Sequence, residues 1–332
     1  MKSNVKISVI IPVYNSGKYI VKCLDSIKNQ SINDYEIVII NDGSTDNSGE
    51  IIQNYIKNNK DINIDYYEIT NHGVSYARNI GIDNSKSDYI MFVDSDDYLP
   101  NDAIEKMIEG IKDNSFDIVC GNYSVVDING KEISRTRNNC EEIDDDGLLI
   151  KCLEDEEVCF SSCAKIYRRE FIGQLRFEEG KKCNEDSFFV FQCATKKPKV
   201  KIIEDVIYKY VKNMESSSNS YFSEKYLDIL YFAKKKTEII SALFSEYVQY
   251  NNDILLRAYI NLLINLSKTK DKKYREITKE SIAFIKNNSK NYQAKTKTEN
   301  IIIKVVKYNM YYVFQFLYMI KFYIDNHKVM NK

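Results

Sequence analysis

Histidine is scarce in this sequence, and its scarcity excludes several kinds of zinc and hydrolytic site. The chain has 332 residues and only two histidines, His72 and His327, which lie far apart. A Cys2His2 zinc finger needs two histidines close together, and the H-E-x-x-H motif of zinc proteases is missing. A Ser-His-Asp triad would have to use one of these two residues.

Glycine is also sparse, and its spacing excludes two nucleotide-binding motifs. No two of the 11 glycines are spaced two apart, so the G-x-G-x-x-G motif of dinucleotide-binding proteins does not occur. No two are spaced five apart, so the phosphate-binding loop G-x-x-x-x-G-K-[ST] does not occur either. The sequence therefore excludes a simple Rossmann dehydrogenase and a P-loop enzyme.

The chain has neither a strong excess of one charge nor a long apolar run. It contains 47 Lys and Arg and 48 Asp and Glu, a net charge of −1. A dedicated nucleic-acid binder normally has a basic excess, so no nucleic-acid partner is expected. No apolar stretch reaches the ~18 residues of a membrane span, and Ile7–Val13 is too short for a signal sequence. We therefore expect a cytoplasmic protein whose 8 cysteines are reduced and packed.

Strand and helix signals alternate over residues 1–125. Short runs of β-branched and aromatic residues are typical of buried strands. Five such runs are present, at Ile7–Val13, Glu36–Ile40, Ile62–Ile69, Tyr89–Val93 and Asp117–Val126. Helical patterns lie between the runs. This alternation predicts an α/β fold with a mostly parallel central sheet flanked by helices.

The rest of the chain follows different patterns. We predict a helix over Cys163–Ile172 and a pair of strands at Val200–Ile203 and Val206–Tyr210. The polar stretch Met214–Ser220 is typical of a domain boundary, and helical periodicity continues through 221–332. The predicted divisions are 1–125, 126–215 and 216–332.

Polar residues follow four of the predicted strands, at the point where each strand ends. They are Tyr14-Asn15, Asn41–Ser44, Asn71–Gly73 and Asp94–Asp96. Because the carboxyl ends of parallel strands meet at one edge of a sheet, we expect these clusters to form a ligand site there.

The strongest of these clusters is Asp94-Ser95-Asp96, directly after the apolar run YIMFV. Two carboxylates at positions i and i+2 point to the same side of the chain. Mg²⁺ and Mn²⁺ prefer oxygen ligands and often need only one or two carboxylates in addition to substrate phosphates. The motif therefore predicts a divalent cation bound together with a diphosphate.

Five stretches of the sequence resemble glycosyltransferase family 2, whose nucleotide-sugar-binding fold is called GT-A. They are Ser8–Asn15, Ile40–Ser48, Asn71–Gly81, Tyr89–Tyr98 and Asn184–Phe188, in the order and at the spacing of the family. The resemblance covers about residues 5–215. It implies that 1–125 is the nucleotide-sugar-binding half of a GT-A domain and 126–215 the acceptor-binding half.

The resemblance implies roles for individual residues at the nucleotide. Asp42 would accept a hydrogen bond from the base, expected to be uracil, and Arg78 would reach toward the diphosphate. Asp96 would bind the cation directly, with Asp94 beside it. The remaining residues implied to contact the nucleotide are Pro12, Tyr14 and Asn15 at the nucleoside, Asn71 and Gly73 beside it, and Asp94 and Ser95 at the ribose and diphosphate.

Members of this family are inverting transferases that use a carboxylate to deprotonate the acceptor hydroxyl. The resemblance implies that Asp186 is this general base and that Glu185 orients the acceptor or perturbs Asp186. A UDP-linked sugar is the expected donor, and a glycan or a lipid-linked saccharide the expected acceptor. Processive members carry a Q-x-x-R-W motif, which a chain with no Trp cannot contain. We therefore predict a transferase that adds single sugars.

Two other functions are alternatives to this one. A sugar-phosphate nucleotidyltransferase also holds a metal on aspartates, but it would need a glycine-rich loop after the first strand, where only Gly17 is found. A non-catalytic, transferase-like binding subunit could share the fold, although it would not need Asp94, Asp96 and Asp186.

The aromatic segment 301–324 also allows two interpretations. On a helix, Lys304, Lys307, Gln315 and Lys321 fall on one side, and the rest of the surface is almost entirely apolar. A membrane-surface helix on the inner face of the cell membrane is one interpretation. The other is a helix buried in the core or in a homo-oligomer.

Overall fold

The computed structural model describes residues 7–111, 115–212 and 222–319. Within these ranges nine strands form a single sheet. The chain divides into two compact units, Met1–Glu215 and Ser216–Lys332. The first unit contains the sheet and its helices, and the second is helical. The predicted α/β class with a helical C-terminal region is confirmed.

The first four strands form the parallel part of the sheet, in the order β3-β2-β1-β4. Their bounds are β1 Ile7–Val13, β2 Tyr35–Asp42, β3 Ile64–Ile69 and β4 Tyr89–Phe92. Every residue of β1, β2 and β4 is buried. Parallel sheets of this kind are covered on both faces, so their strands are continuous apolar runs in the sequence.

Helices connect these strands and follow β4. Their bounds are α1 Ile20–Lys28, α2 Ser48–Asn58, α3 Val74–Asn84 and α4 Ala103–Ile111. Helix α3 packs on β1 so closely that a methyl group added at Gly81 would lie 2.2 Å from Cγ2 of Ile10. This contact fixes α3, which carries Arg78, against the centre of the sheet.

The sheet continues beyond β4 in the order β8-β5-β9-β7, with β6 beside β5. The bounds are β5 Ile118–Val126, β6 Glu132–Arg135, β7 Glu141–Ile143, β8 Lys165–Arg168 and β9 Val200–Val211. Helices α5 Gly147–Leu153, α6 Arg169–Ile172 and α7 Glu185–Ala194 lie between these strands in the chain. Strand β8 is antiparallel to both β4 and β5, whereas β9 is parallel to β5. Strands β1–β5 and β9 therefore share one direction.

The helix predicted over Cys163–Ile172 is wrong. Residues Lys165–Arg168 form β8, and only the single turn Arg169–Ile172 is helical. Strand β8 pairs with β4 on one side and β5 on the other. These two ladders of hydrogen bonds outweigh a weak local preference for helix, as tertiary context often does.

The pair of strands predicted at Val200–Ile203 and Val206–Tyr210 is also wrong, because both belong to the single strand β9. The pairing of β9 with β5 is irregular around Asn122. There the side-chain amide of Asn122 donates to the carbonyl of Glu204 at 2.9 Å. Glu204 and Asp205, the polar residues that suggest a turn in the sequence, therefore occupy a bulge in β9. There the side chain of Asn122 takes the place of a backbone hydrogen bond between the strands.

The second unit consists of helices in its described part, 222–319. They are α8 Leu227–Leu243, α9 Asn251–Leu266, α10 Arg275–Asn288 and α11 Lys297–Lys307, and residues 311–319 are also helical. The predicted boundary Met214–Ser220 lies outside the described residues. None of the helices described is both long enough and apolar enough to cross a membrane.

Candidate active site

Asp42 ties together two loops at the carboxyl edge of the parallel strands. It ends β2 and is buried. Its Oδ1 accepts the backbone N–H of His72 and its Oδ2 that of Gly73, both at 2.8 Å. Gly73 has φ +94, which favours glycine, and α3 begins at the next residue. Each carboxylate oxygen has a second lone pair, so Asp42 can still accept a hydrogen bond from a ligand.

The loops after β2 and β3 approach each other closely beside Asp42. The side-chain amide of Asn71, an exposed residue, donates to the carbonyl of Asp42 at 3.0 Å. A methyl group added at Gly43, whose φ is +65, would lie 2.7 Å from the backbone nitrogen of Asn71. The sequence-predicted residues Asp42, Asn71 and Gly73 therefore lie together at this edge.

The loop after β1 is held to the loop after β2 by Asn15. The Oδ1 atom of Asn15 accepts the backbone N–H of Thr45 at 2.8 Å, and the backbone N–H of Asn15 donates to Ser44 Oγ at 3.0 Å. Tyr14 is 51% exposed and offers an accessible ring, whereas Pro12 is buried within β1. Of the three residues predicted at the nucleoside, Tyr14 and Asn15 are thus exposed to a ligand.

The Asp94-Ser95-Asp96 motif leaves β4 at the same edge. Ser95 is buried, and its Oγ lies 2.6 Å from Oγ of Ser16 in the loop after β1. Asp94 is partly exposed and Asp96 is exposed at this edge of the sheet. Partial removal from water and the charge of Asp94 raise the pKa of Asp96 to about 6.

These two carboxylates fit a hard divalent cation. A bound cation would relieve the repulsion between Asp94 and Asp96, and all their donor atoms are oxygens. In the part of the chain that the structure describes, no group of three or more His, Cys, Asp or Glu side chains could hold a metal ion. Two carboxylates completed by substrate phosphates are a common arrangement for Mg²⁺.

Arg78 is buried between the Asp94-Ser95-Asp96 motif and helix α7. Its Nη2 lies 2.8 Å from Oδ1 of Asp94, and its Nη1 lies 3.4 Å from Oε1 of Glu185. Its guanidinium also lies over the ring of Phe177, which stacks on Phe189 of α7 at 4.0 Å. Arg78 therefore connects α3, the end of β4 and α7. The structure directs it to these carboxylates, and its predicted contact with a diphosphate stays a prediction.

Helix α7 begins at the acidic pair Glu185-Asp186, and the two side chains have different surroundings. Glu185 is buried and faces Arg78, whereas Asp186 is half-buried and accepts the N–H of Ser187 at 2.8 Å. Burial raises the pKa of both carboxyls, and the positive charge of Arg78 opposes the shift. Asp186 is thus the more exposed member of the pair.

A cavity of about 240 Å³ lies between Asp94 and Asp186. Its other lining residues are Asp97, Tyr123, Ser161, Cys163, Ala164, Tyr208 and Tyr210. The three tyrosines are not among the residues that the sequence predicts for the site. Tyr208 and Tyr210 are spaced two apart on β9, so their side chains share one face, which is a signal that could have identified them.

A larger cavity of about 730 Å³ lies away from these residues, at the amino end of β4. It is lined by Asp83, Arg168 and Arg176 among others, but Arg168 is paired with Asp117 and Arg176 with Asp83. We place the candidate site at the smaller cavity, because Asp94 from the end of β4 and Asp186 from α7 both line it.

Comparison with known proteins identifies relatives of the chain. The family model described as glycosyl transferase family 2 matches residues 8–176. An uncharacterized glycosyltransferase of Haemophilus influenzae is 32% identical over 72% of this chain and 92% of its own length. The poly(ribitol-phosphate) beta-glucosyltransferase of Bacillus spizizenii is 29% identical over 80% of this chain, which spans 41% of that protein.

A solved structure shares the fold. It is residues 1–349 of Staphylococcus aureus TarS in complex with UDP-GlcNAc, with a TM-score of 0.66 and 21% identity. The match covers 93% of this chain and 89% of the other. The architecture described above is therefore a fold that this chain shares with TarS.

Proposed function

The chain belongs to glycosyl transferase family 2, and from the geometry of its site we propose that it is a non-processive, inverting transferase acting on a UDP-linked sugar. The proposed acceptor is a glycan or a lipid-linked saccharide. The name of the Bacillus relative and the UDP-GlcNAc bound to TarS support this choice of donor and acceptor class.

One observation carries the proposal. The motif after β4 and the acidic pair of α7 come from distant parts of the chain, yet Asp94 and Asp186 line the same cavity. A donor whose diphosphate lies at Asp94 and Asp96 would place its sugar in this cavity. An acceptor hydroxyl could then be bound within reach of Asp186.

We propose that Asp186 is the general base. It removes the proton of the acceptor hydroxyl as the oxygen attacks C1 of the donor sugar, and the bond from C1 to the diphosphate oxygen breaks. Attack opposite the leaving group inverts C1. The nucleoside diphosphate departs with the electron pair of the broken bond. Glu185 faces Arg78, and we propose that it positions the Arg78 side chain within the site.

Asp96 and Asp94 would hold a Mn²⁺ or Mg²⁺ ion. Such an ion neutralises the charge that develops on the departing diphosphate. On the nucleoside side, Tyr14 offers its ring, and Asp42, Asn71 and Gly73 lie where the base and ribose would bind. Pro12 and Ser95 are buried, so we propose that they support this surface from below.

Calorimetric titration of UDP tests the nucleotide and cation positions. We expect binding in the presence of Mn²⁺ that is lost with EDTA and in Asp96→Asn. The matched control is Asp65→Asn, which changes a carboxylate paired with Lys86 and should leave binding intact. UDP binding that is equal in EDTA and in Asp96→Asn would refute the cation site.

The catalytic step is tested separately by UDP release from a panel of UDP-sugars. Asp186→Asn should keep UDP binding and lose release and transfer. Unchanged turnover would show that the base is elsewhere. A protein that binds no nucleotide under any condition would instead support the non-catalytic alternative.

A further inference from the structure

The two units of the chain carry opposite charge. Residues 1–215 contain 27 Lys and Arg against 38 Asp and Glu, a net charge of −11. Residues 216–332 contain 20 against 10, a net charge of +10. The near-neutral total conceals this asymmetry. A basic excess confined to one unit indicates that this unit meets an anionic partner.

The helical unit also exposes a continuous set of large apolar side chains. Those more than half exposed between residues 308 and 317 are Tyr308, Met310, Tyr312, Val313, Phe316 and Leu317. Surface helices normally place such residues inward. Exposed apolar patches of this kind mark interaction sites.

The orientation of the helix at 311–319 is fixed by contacts on its other side. Tyr311 is buried, and its hydroxyl donates to the carbonyl of Leu263 at 3.2 Å. The side-chain amide of Gln315 donates to the carbonyl of Thr269 at 2.7 Å. The polar side chain Gln315 therefore faces α9 and its following loop, and the apolar side chains face outward.

Basic residues surround this apolar face. The ammonium group of Lys270 lies 5.1 Å from the centre of the Phe316 ring. A cavity of about 430 Å³ joins Tyr312 and Phe316 to Lys272 and Arg275. The acidic residue of this loop, Asp271, uses its carboxylate to accept the N–H of Lys273. Aromatic rings beside lysines are typical of proteins that lie at the boundary between lipid headgroups and acyl chains.

We propose that this face, formed by residues 308–317 with Lys270, Lys272 and Arg275, binds the surface of a membrane containing anionic phospholipids. The apolar side chains would enter the headgroup region, and the basic residues would contact lipid phosphates. A second copy docked through the same face is a poorer occupant, because the basic residues of the two copies would repel each other. The proposal is independent of the nucleotide chemistry, and it places the transferase where a lipid-linked acceptor would be found.

Co-sedimentation of the full chain with vesicles tests the proposal. We expect binding to vesicles of phosphatidylcholine with phosphatidylglycerol, weaker binding at high salt, and little binding to phosphatidylcholine alone. The double variant Phe316→Ser/Leu317→Ser should weaken binding by roughly tenfold or more. The variant Lys270→Glu/Lys272→Glu should abolish the preference for phosphatidylglycerol.

Controls separate this proposal from the others. The double variant Lys57→Glu/Lys60→Glu in the acidic unit makes the same charge change at two exposed lysines and should leave vesicle binding intact. All variants should keep Mn²⁺-dependent UDP binding, since their side chains are exposed and lie outside the candidate active site. Vesicle binding that is absent in the unmodified chain, or unaffected by both double variants, would overturn the proposal. Self-association measured by ultracentrifugation and lost in Phe316→Ser/Leu317→Ser would show instead that the face binds a second copy.

Discussion

The hydroxyl of Tyr208 donates to Oδ2 of Asp97 at 2.7 Å, and this bond joins the strand β9 to the loop Asp94–Asp97 that follows β4. The backbone N–H of Asp94 donates to the same hydroxyl at 3.2 Å. The other oxygen of Asp97 accepts the N–H of Val211 at 2.7 Å. Asp97 is buried, and burial raises its pKa well above the usual range. The third carboxylate of D-S-D-D is therefore a structural group that holds the other two in place.

The variant Tyr208→Phe tests this arrangement. Removing the hydroxyl leaves Oδ2 of Asp97 and the N–H of Asp94 without this partner, which should reduce the free energy of unfolding by about 1–3 kcal/mol. Mn²⁺-dependent UDP binding should weaken as well, because the loop Asp94–Asp97 loses one of its hydrogen bonds to β9. Urea denaturation and calorimetric titration measure the two effects. The control Tyr210→Phe alters the same strand and cavity without affecting the bonds to Asp97, and it should leave both nearly unchanged.

Replacing Arg78 by Met should be strongly destabilising. The guanidinium is buried between Asp94 and Glu185, and removing one member of a buried ionic cluster costs about 3–5 kcal/mol. Because Asp94 is about one third exposed, we expect the lower end of that range. Arg135→Met removes an exposed pair with Glu132 and should cost less than about 1 kcal/mol. Equal losses in the two variants, measured by urea denaturation, would contradict this account of Arg78.

The pH dependence of turnover should show the acid limb of a general base with a raised pKa. Burial raises the pKa of Asp186, so the carboxylate is protonated and inactive at a higher pH than an ordinary aspartate. We expect kcat/KM to rise with pH through an apparent pKa that belongs to the Glu185–Asp186 pair. Measuring kcat/KM against pH tests this expectation.

Two variants test whether Asp186 is the group that titrates on the acid limb of the profile. Asp186→Asn should lower kcat by roughly 10²–10⁴-fold at every pH. Glu185→Gln removes a neighbouring negative charge and keeps the positive charge of Arg78, which favours ionised Asp186, so it should move the limb to lower pH. A limb that moves upward, or that persists in Asp186→Asn, would exclude Asp186 as the titrating base.

Gly81→Ala tests the packing of α3 on β1. The added methyl group would lie 2.2 Å from Cγ2 of Ile10, so the helix must shift, and we expect a loss of about 1–3 kcal/mol. Adding Ile10→Ala removes the clashing atom. The double variant should therefore cost less than the sum of the two single variants. Strict additivity in denaturation experiments would show that α3 does not press on Ile10.

Much of the first half of this protein could be predicted from local sequence. Strands β1, β2 and β4 are buried on both faces, so each is a continuous apolar run that needs no knowledge of its neighbours. The polar residues at their carboxyl ends follow directly, because parallel strands end at one edge. The short motifs at Asp94–Asp96 and Glu185-Asp186 are local as well.

Only the tertiary structure decides how these pieces meet. Strand β8 has no strand-like period of its own and is defined by its position between β4 and β5. Strand β9 continues through Glu204 because Asn122 satisfies the bulge. Arg78 and Glu185 are 107 residues apart, and their contact depends on the packing of α3 on β1 and of α7 beside β4. Local sequence determined the buried parallel strands and which side chains carry charge, whereas the order of the strands determined which of those charges share a site.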